Sequence, residues 1–168
     1  MPLLKPILCL LLCLSFSLLS AQEETAKPKL YHPEADAKAE IAQAVAKAKA
    51  EGKHVFLQMG GNWCIWCLRF HDFAGKNAAV DSLFQANYIV VHVNYSPENK
   101  NEKILAKYGD PQRMGFPVFV ILDASGKRLH TQDSWFLEDG KQGYDLEKTK
   151  HFLESWSPAA LKPENNKG

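Results

Sequence analysis

The chain has 168 residues, of which 46% are hydrophobic and 23% charged, which indicates one folded domain and excludes a disordered or collagen-like chain. Its 20 basic and 19 acidic residues give a formal net charge of +1, which argues against nucleic acid or an anionic membrane surface as the main partner. The four cysteines are too few for a disulfide-stapled scaffold of this length.

The first 21 residues have the pattern of a secretory signal peptide. Lys5 precedes an almost wholly apolar run at 7–19, which is shorter than the roughly 20 residues that span a bilayer. Small residues, Ser20 and Ala21, follow this run. We therefore expect cleavage near Ala21 and export to the periplasm or the medium, with an uncleaved anchor as the alternative.

Removal of residues 1–21 changes the counts that matter. The mature chain would keep 147 residues, 19 basic and 19 acidic side chains, and two cysteines, Cys64 and Cys67. Export implies an extracytoplasmic compartment in which disulfides persist.

Helices and strands alternate along the mature chain. After a flexible polar lead at 22–32, we predict a helix that opens at Pro33 and ends at Gly52. Short apolar and β-branched runs predict strands at 54–59, 88–94 and 117–122, and a turn at 123–127 leads into an antiparallel strand at 128–131. The remaining predicted segments are helices at 64–73, 78–86, 98–108 and 144–156 and a polar tail at 158–168. This order favours one α/β domain at 33–157, in which helices and an extra N-terminal helix flank a central mixed β-sheet.

A Cys-x-x-Cys motif lies between the first predicted strand and the helix after it. Residues at i and i+3 share a helix face, so Cys64 and Cys67 can close a disulfide. Cys64 would lie at the helix N-terminus, whose free N–H groups and partial positive charge favour a thiolate. Because the thiolate is the attacking species in disulfide exchange, Cys64 is the expected nucleophile and Cys67 the resolving thiol. A permanent structural disulfide is the alternative, although so short a loop gains little stability from it.

Three segments in this order resemble the thioredoxin superfamily, and most closely its small exported members with a Trp-Cys-x-x-Cys motif. Trp63–Cys67 is similar to the active-site segment, Gly115–Val118 to the loop that carries a cis proline, and Asp123–Lys127 to the turn of the terminal hairpin. The resemblance covers about residues 35–157. It implies a thioredoxin fold and the activity of a protein thiol–disulfide oxidoreductase.

The resemblance also implies the remaining site residues and the partners. Pro117 would be cis, face the cysteine pair and expose the backbone of Phe116 to a substrate strand, with a trans proline at a strand edge as the alternative. Trp63 and Trp66 would shape the contact surface. Neither an organic cofactor nor a metal is required. The implied partners are protein substrates with thiols or disulfides and a redox protein that recycles the pair, and we expect a monomer that leaves the membrane after signal cleavage.

Two features depart from the family pattern. Gln58 stands six residues before Cys64, where many thioredoxins carry a buried acid proposed to help deprotonate the resolving thiol. The proton acceptor for Cys67 is therefore open, and water is one candidate. The dipeptide Ile65–Trp66 between the cysteines is neither the Gly-Pro of reducing thioredoxins nor a histidine-containing pair of strong oxidants. This favours a reductase or a general interchange role but does not place the pair on the scale of reduction potentials.

His71 supports a second hypothesis, a metal-handling module. On a helix it could share a face with Cys64 and Cys67, and two thiolates with an imidazole suit zinc or copper. A partly exposed helix histidine is the simpler interpretation. A third hypothesis is a binding or chaperone-like module in which the two cysteines are incidental.

Aromatic residues near the end of the chain have two interpretations. We expect Trp135, Phe136 and Tyr144 to pack the loop and the last helix onto the core, and extension of a substrate-binding surface is the alternative. His92 is expected to fill a position in the sheet.

Overall fold

The structure is a computed structural model, described here over residues 29–162. The expected signal peptide lies outside the described residues, as do 22–28 of the expected lead and 163–168 of the tail. No helix within 29–162 has the length and apolar character that a membrane span needs.

The α/β order predicted from the sequence is confirmed. In chain order the elements are α1 (Ala37–Glu51), β1 (His54–Gly60), α2 (Ile65–Lys76), α3 (Ala78–Asn87), β2 (Tyr88–Asn94), α4 (Glu102–Lys107), a 3-10 turn (Pro111–Met114), β3 (Val118–Leu122), β4 (Arg128–Asp133), a second 3-10 turn (Ser134–Leu137) and α5 (Leu146–Ser155).

The four strands form one mixed sheet in the order β2-β1-β3-β4. β1 runs parallel to β2, with Gln58 opposite His92, and antiparallel to β3, with Met59 opposite Val118. β3 and β4 form the predicted antiparallel hairpin. Every residue of the central strands β1 and β3 is buried, which explains the apolar runs in their sequences.

Helices cover both faces of the sheet, as in a thioredoxin fold. Side chains alternate between the two faces of a strand, so Leu57 packs in the core beneath α1 and Phe56 in the core beneath α2, α3 and α5. The second core is rich in aromatic rings, such as Phe70 against Phe119 at 4.4 Å between centroids. The cysteines follow the C-terminal end of β1, and this end of the sheet lies between the two cores.

Four helices begin later than the sequence predicts, α2 by a single residue. Pro33 lies in a turn, and α1 begins only at Ala37 because the Asp36 side chain accepts a hydrogen bond from the Ala39 N–H at 3.1 Å. The predicted helix at 98–108 shortens to α4 because Ser96 and Asn99 close a backbone turn first. α5 likewise begins after a capping aspartate.

The prediction that the flexible lead extends to residue 32 is wrong at its end. Tyr31 is completely buried. The Asn62 side chain holds its backbone from both sides, since Asn62 Oδ1 accepts from the Tyr31 N–H at 3.0 Å and Asn62 Nδ2 donates to the Tyr31 carbonyl at 2.7 Å. The segment before α1 is therefore part of the domain.

Of Trp135, Phe136 and Tyr144, which we expected to pack onto the core, one does so. Tyr144 is buried, as predicted, whereas Trp135 and Phe136 are 68% and 62% exposed. The second 3-10 turn turns these two rings outward, and they contact each other at 5.4 Å.

Candidate active site

Cys64 and Cys67 form a disulfide at the N-terminus of α2, with their Cα atoms 5.2 Å apart. The chain leaves β1 at Gly60 and turns so that the Cys64 N–H donates to the Gly61 carbonyl at 3.0 Å. Cys64, the first residue of the predicted helix, is the N-cap of α2, which begins at Ile65, and its Sγ accepts a hydrogen bond from the Cys67 N–H at 3.1 Å. A thiolate at Cys64 would lie against this N–H and the positive end of the helix.

The two sulfur-bearing residues differ in their access to solvent. Cys64 keeps 5% of its surface exposed and Cys67 none. Tyr31 completes the cluster of buried residues around them, and Trp66 and Phe116 pack against it from outside. A substrate can therefore approach Cys64 and not Cys67.

Aromatic side chains surround the exposed side of the pair. Trp63 is 58% exposed, and its Nε1 donates to the Tyr95 carbonyl at 2.7 Å. Its ring contacts that of Phe116 at 5.6 Å, and Phe116 in turn contacts Tyr95 at 4.8 Å. The structure thus brings Trp63 and Phe116 together beside Cys64, and Ile65 is exposed next to them.

Trp66 lies apart from that aromatic contact. Its ring contacts Tyr144 at 5.8 Å and the Arg69 guanidinium at 4.8 Å. The Tyr144 hydroxyl donates to the Trp66 carbonyl at 3.2 Å. The indole is therefore held by its neighbours along α2 and before α5.

The predicted cis proline is confirmed at Phe116–Pro117. It immediately precedes β3, whose first residue, Val118, pairs with Met59 near the end of β1. This register places Pro117 at the sheet edge from which the cysteine segment departs, and Pro117 itself is buried.

Gln58 lies inside the domain, at the position where the family pattern has an acid. It is 2% exposed. Its Nε2 donates to the Tyr31 hydroxyl at 2.8 Å and to the Cys67 carbonyl at 3.0 Å. The Gln58 side chain therefore binds the backbone carbonyl of the resolving cysteine, Cys67. Its other hydrogen bond makes Tyr31 part of the site.

Tyr31 is the site residue that the sequence reasoning missed. Burial raises the pKa of its hydroxyl, and the Gln58 hydrogen bond opposes this only in part, so the phenol keeps its proton at neutral pH. No motif marks this residue, because it stands in a polar stretch far upstream of the cysteines.

Two histidines lie beyond Tyr31. His92 occupies the predicted place in β2, and its ring contacts those of Tyr31 and His71, each at 5.6 Å. Burial, and then the charges of His71 and His32, lower the pKa of His92 to about 4, so its imidazole is neutral at pH 7.

The structure does not assemble the metal site of the second hypothesis. His71 is exposed on α2. Within residues 29–162 no three side chains of histidine, cysteine, aspartate or glutamate are placed to hold one ion. Nothing in this part of the chain supports a metal-handling role.

An α/β/α sandwich with a Cys-x-x-Cys pair at the start of α2 and a cis proline facing the same edge defines the thioredoxin class of folds. The sequence model of a family described as thioredoxin-like matches residues 36–124. The chain belongs to this family, as its motifs predict.

Two curated relatives are similar over part of the chain. Disulfide bond reductase DsbH of Chlamydia pneumoniae is 30% identical over 97 residues, which cover 52% of this chain and 57% of the relative. Thiol:disulfide interchange protein DsbD of Salmonella typhi is 28% identical over 88 residues, which cover 52% of this chain and 15% of the relative. The chain thus spans little more than half of the first relative and a small part of the second.

Solved structures agree on the fold. A disulphide isomerase from Xylella fastidiosa Temecula1 superposes with a TM-score of 0.67 at 25% identity, covering 77% of this chain and 98% of that one. The oxidised C-terminal domain of Neisseria meningitidis DsbD superposes with a TM-score of 0.51 at 19% identity, covering 73% and 97% of the two chains. The second similarity concerns the fold alone.

Proposed function

We propose that this protein is an exported thiol–disulfide oxidoreductase that acts through Cys64 and Cys67. One observation carries the proposal: the two cysteines pair at a helix N-terminus, where Cys64 Sγ accepts the Cys67 N–H and Cys67 is fully buried behind it. Similar proteins are named a disulfide bond reductase, a thiol:disulfide interchange protein and a disulphide isomerase.

The geometry supports an exchange reaction in two steps. In the reduced protein, the Cys64 thiolate attacks one sulfur of a substrate disulfide, a Cys64–substrate bond forms, and the other substrate sulfur leaves as a thiolate. The Cys67 thiolate then attacks Cys64 Sγ, the Cys64–Cys67 disulfide closes, and the second substrate thiolate leaves. Two electrons pass from the pair to the substrate, and a thiol protein must return them.

The substrate-binding surface of this proposal consists of Trp63, Trp66, Phe116 and Pro117. Its support is the exposed Trp63 ring, which the Tyr95 carbonyl holds against Phe116 beside Cys64. Trp66 and Phe116 both pack against the cysteine cluster. A groove lined by Trp63, Tyr95 and Pro97 continues from this surface, which suits an extended protein segment as substrate.

The proposed direction is reduction or general interchange. No histidine stands between the cysteines, and one relative is named a reductase. Equilibration of the pair with a glutathione redox series tests this. A potential close to the roughly −270 mV of thioredoxin supports a reductase, whereas one near the roughly −120 mV of a strong oxidant contradicts it.

Reduction of insulin disulfides tests the activity itself. We expect the protein to accelerate precipitation of the insulin B chain by dithiothreitol. Cys64→Ser should abolish the acceleration because the attacking thiolate is gone, and exposed Ser82→Ala in α3 is the control that should retain it. Acceleration that survives in Cys64→Ser would contradict the proposal.

The proposed site of action is the periplasm or the medium, where the protein would act as a monomer. The support is the signal-like pattern at 1–21. The intact mass of protein from the extracytoplasmic fraction should correspond to cleavage near Ala21. A chain that keeps residues 1–21 there would contradict cleavage.

A further inference from the structure

The space behind Cys67 is shared with the Tyr31 hydroxyl. A Cβ atom built on Gly60 would overlap Cys67 Sγ and would lie 2.9 Å from Tyr31 Oη. The sulfur and the hydroxyl oxygen therefore both border the volume that the missing Gly60 side chain leaves open. Both residues are completely buried, so bulk water does not separate them.

The hydrogen bonds of Gln58 determine which groups the Tyr31 hydroxyl can donate a hydrogen bond to. An amide nitrogen has two hydrogens, and Gln58 Nε2 donates one to the Cys67 carbonyl and the other to Tyr31 Oη. The phenolic oxygen is thus an acceptor toward Gln58. Its own hydrogen stays available for a different acceptor.

A thiolate at Cys67 would be that acceptor. A sulfur in a disulfide accepts hydrogen bonds weakly, whereas an ionised acceptor forms bonds about twice as strong as a neutral one. We propose that the Tyr31 hydroxyl, positioned by Gln58, donates a hydrogen bond to the Cys67 thiolate once the disulfide opens. Tyr31 is then a positioning and stabilising donor for the resolving sulfur.

The place of this hydrogen bond in the reaction rests on the function proposed above. It would form before Cys67 attacks the mixed disulfide. In that attack the Cys67–Cys64 bond forms and the Cys64–substrate bond breaks. The substrate sulfur takes the electron pair and then a proton from water, while Tyr31 keeps its own proton throughout.

Tyr31 differs chemically from the acid that the family pattern places here. A carboxylate can accept the thiol proton, but burial raises the pKa of Tyr31, so its hydroxyl stays protonated at neutral pH and donates to Cys67 without taking the thiol proton. Among the described residues, the causes that shift the pKa of Tyr31 are burial, Gln58 and Tyr144, and none is a carboxylate. Further titratable side chains near the cluster are Cys64, His32, His71 and His92, and His92 is neutral above its pKa of about 4.

The pKa of the Cys67 thiol tests the proposal without any substrate. In a Cys64→Ser background, the carbon-13 shift of Cys67 Cβ is followed against pH, because a fully buried sulfur is closed to alkylating reagents. Tyr31→Phe should raise the midpoint by about one unit, which is about tenfold less thiolate at a pH below it. Tyr88→Phe is the matched control, since it removes a buried hydroxyl bonded to the Leu153 carbonyl at 2.6 Å and should leave the midpoint in place.

An unchanged or lowered midpoint in Tyr31→Phe would overturn the proposal and leave Tyr31 a space-filling residue. If Tyr31→Phe does not fold, carbon-13 shifts in the Cys64→Ser chain decide. The Tyr31 ring carbon bearing the hydroxyl should then titrate together with Cys67 Cβ, and independent titration would overturn the proposal. Because neither measurement needs turnover, failure of insulin reduction contradicts the proposed function alone.

Discussion

Gly60 shows how a residue without a side chain can define an active site. Both Cys67 Sγ and Tyr31 Oη border the space that it leaves open. Its backbone also continues the strand pairing, opposite Asn94 in β2. The close approach of the resolving sulfur to Tyr31 therefore depends on this position in β1.

Gly60→Ala should destabilise the oxidised protein. The added methyl would overlap Cys67 Sγ, and overpacking of a core costs about 1–3 kcal/mol. Urea unfolding of the oxidised protein measures the loss. Gly75→Ala is the control, because a Cβ at Gly75 meets nothing within 4 Å. Alanine is also less flexible than glycine in a helix, so this substitution should raise the free energy of unfolding by up to about 1 kcal/mol. Equal stability of the two variants would contradict this account of Gly60.

At the scale of elements, α1 depends on its N-cap and not on Pro33. The Asp36 carboxylate accepts from the Ala39 N–H, which satisfies one of the free donors of the first turn. The same residue sets where the segment that carries Tyr31 ends and the helix begins.

Asp36→Ala should lower the free energy of unfolding by about 1 kcal/mol, the typical cost of a lost cap. Asp36→Asn keeps a capping oxygen and should retain most of that stability. Thermal or urea unfolding of the two variants compares them. A loss of the same size in both would indicate that the charge of Asp36, and not the cap, stabilises α1.

Elements with a strong local pattern could be predicted from the sequence, and those set by distant contacts could not. β2 has the predicted bounds, 88–94, because its apolar and β-branched run is continuous. The starts of α1 and α4 were misplaced because a side-chain cap and the turn at 96–99 fix them. The spacing of apolar residues along the chain does not predict the cap or the turn.

The same division holds for the active site. The motif identified the cysteine pair and the proline loop, because each is a short run of residues. Tyr31 falls within the flexible lead that the sequence predicts, since its burial depends on Asn62 and Gln58, which are distant in sequence. The absence of an acid at position 58 was the available signal that another group occupies this place.

For the whole molecule, stability should depend on pH through His92. Burial depresses its pKa from 6.5 to about 4 in the folded protein. Between these two pH values the unfolded chain binds more protons than the folded one. The contribution of neutral His92 to the free energy of unfolding is therefore complete above pH 6.5 and is lost as the pH falls toward 4. His92→Gln should remove about 2 kcal/mol of the difference in unfolding free energy between about pH 7 and pH 5.

Urea unfolding at both pH values compares the parent with His92→Gln, and His151→Gln on the exposed side of α5 is the matched control. An identical pH dependence in the parent and His92→Gln would show that His92 takes up its proton in the folded protein as readily as in the unfolded chain.

The division of labour between the two cysteines is the central claim about the whole protein, and trapping of mixed disulfides tests it most directly. Cys67→Ala should accumulate covalent adducts with substrate proteins on a non-reducing gel, because Cys64 can attack but nothing resolves the bond. Cys64→Ala should form none, since Cys67 is fully buried. Adducts that form through Cys67 in Cys64→Ala, with none in Cys67→Ala, would contradict the account.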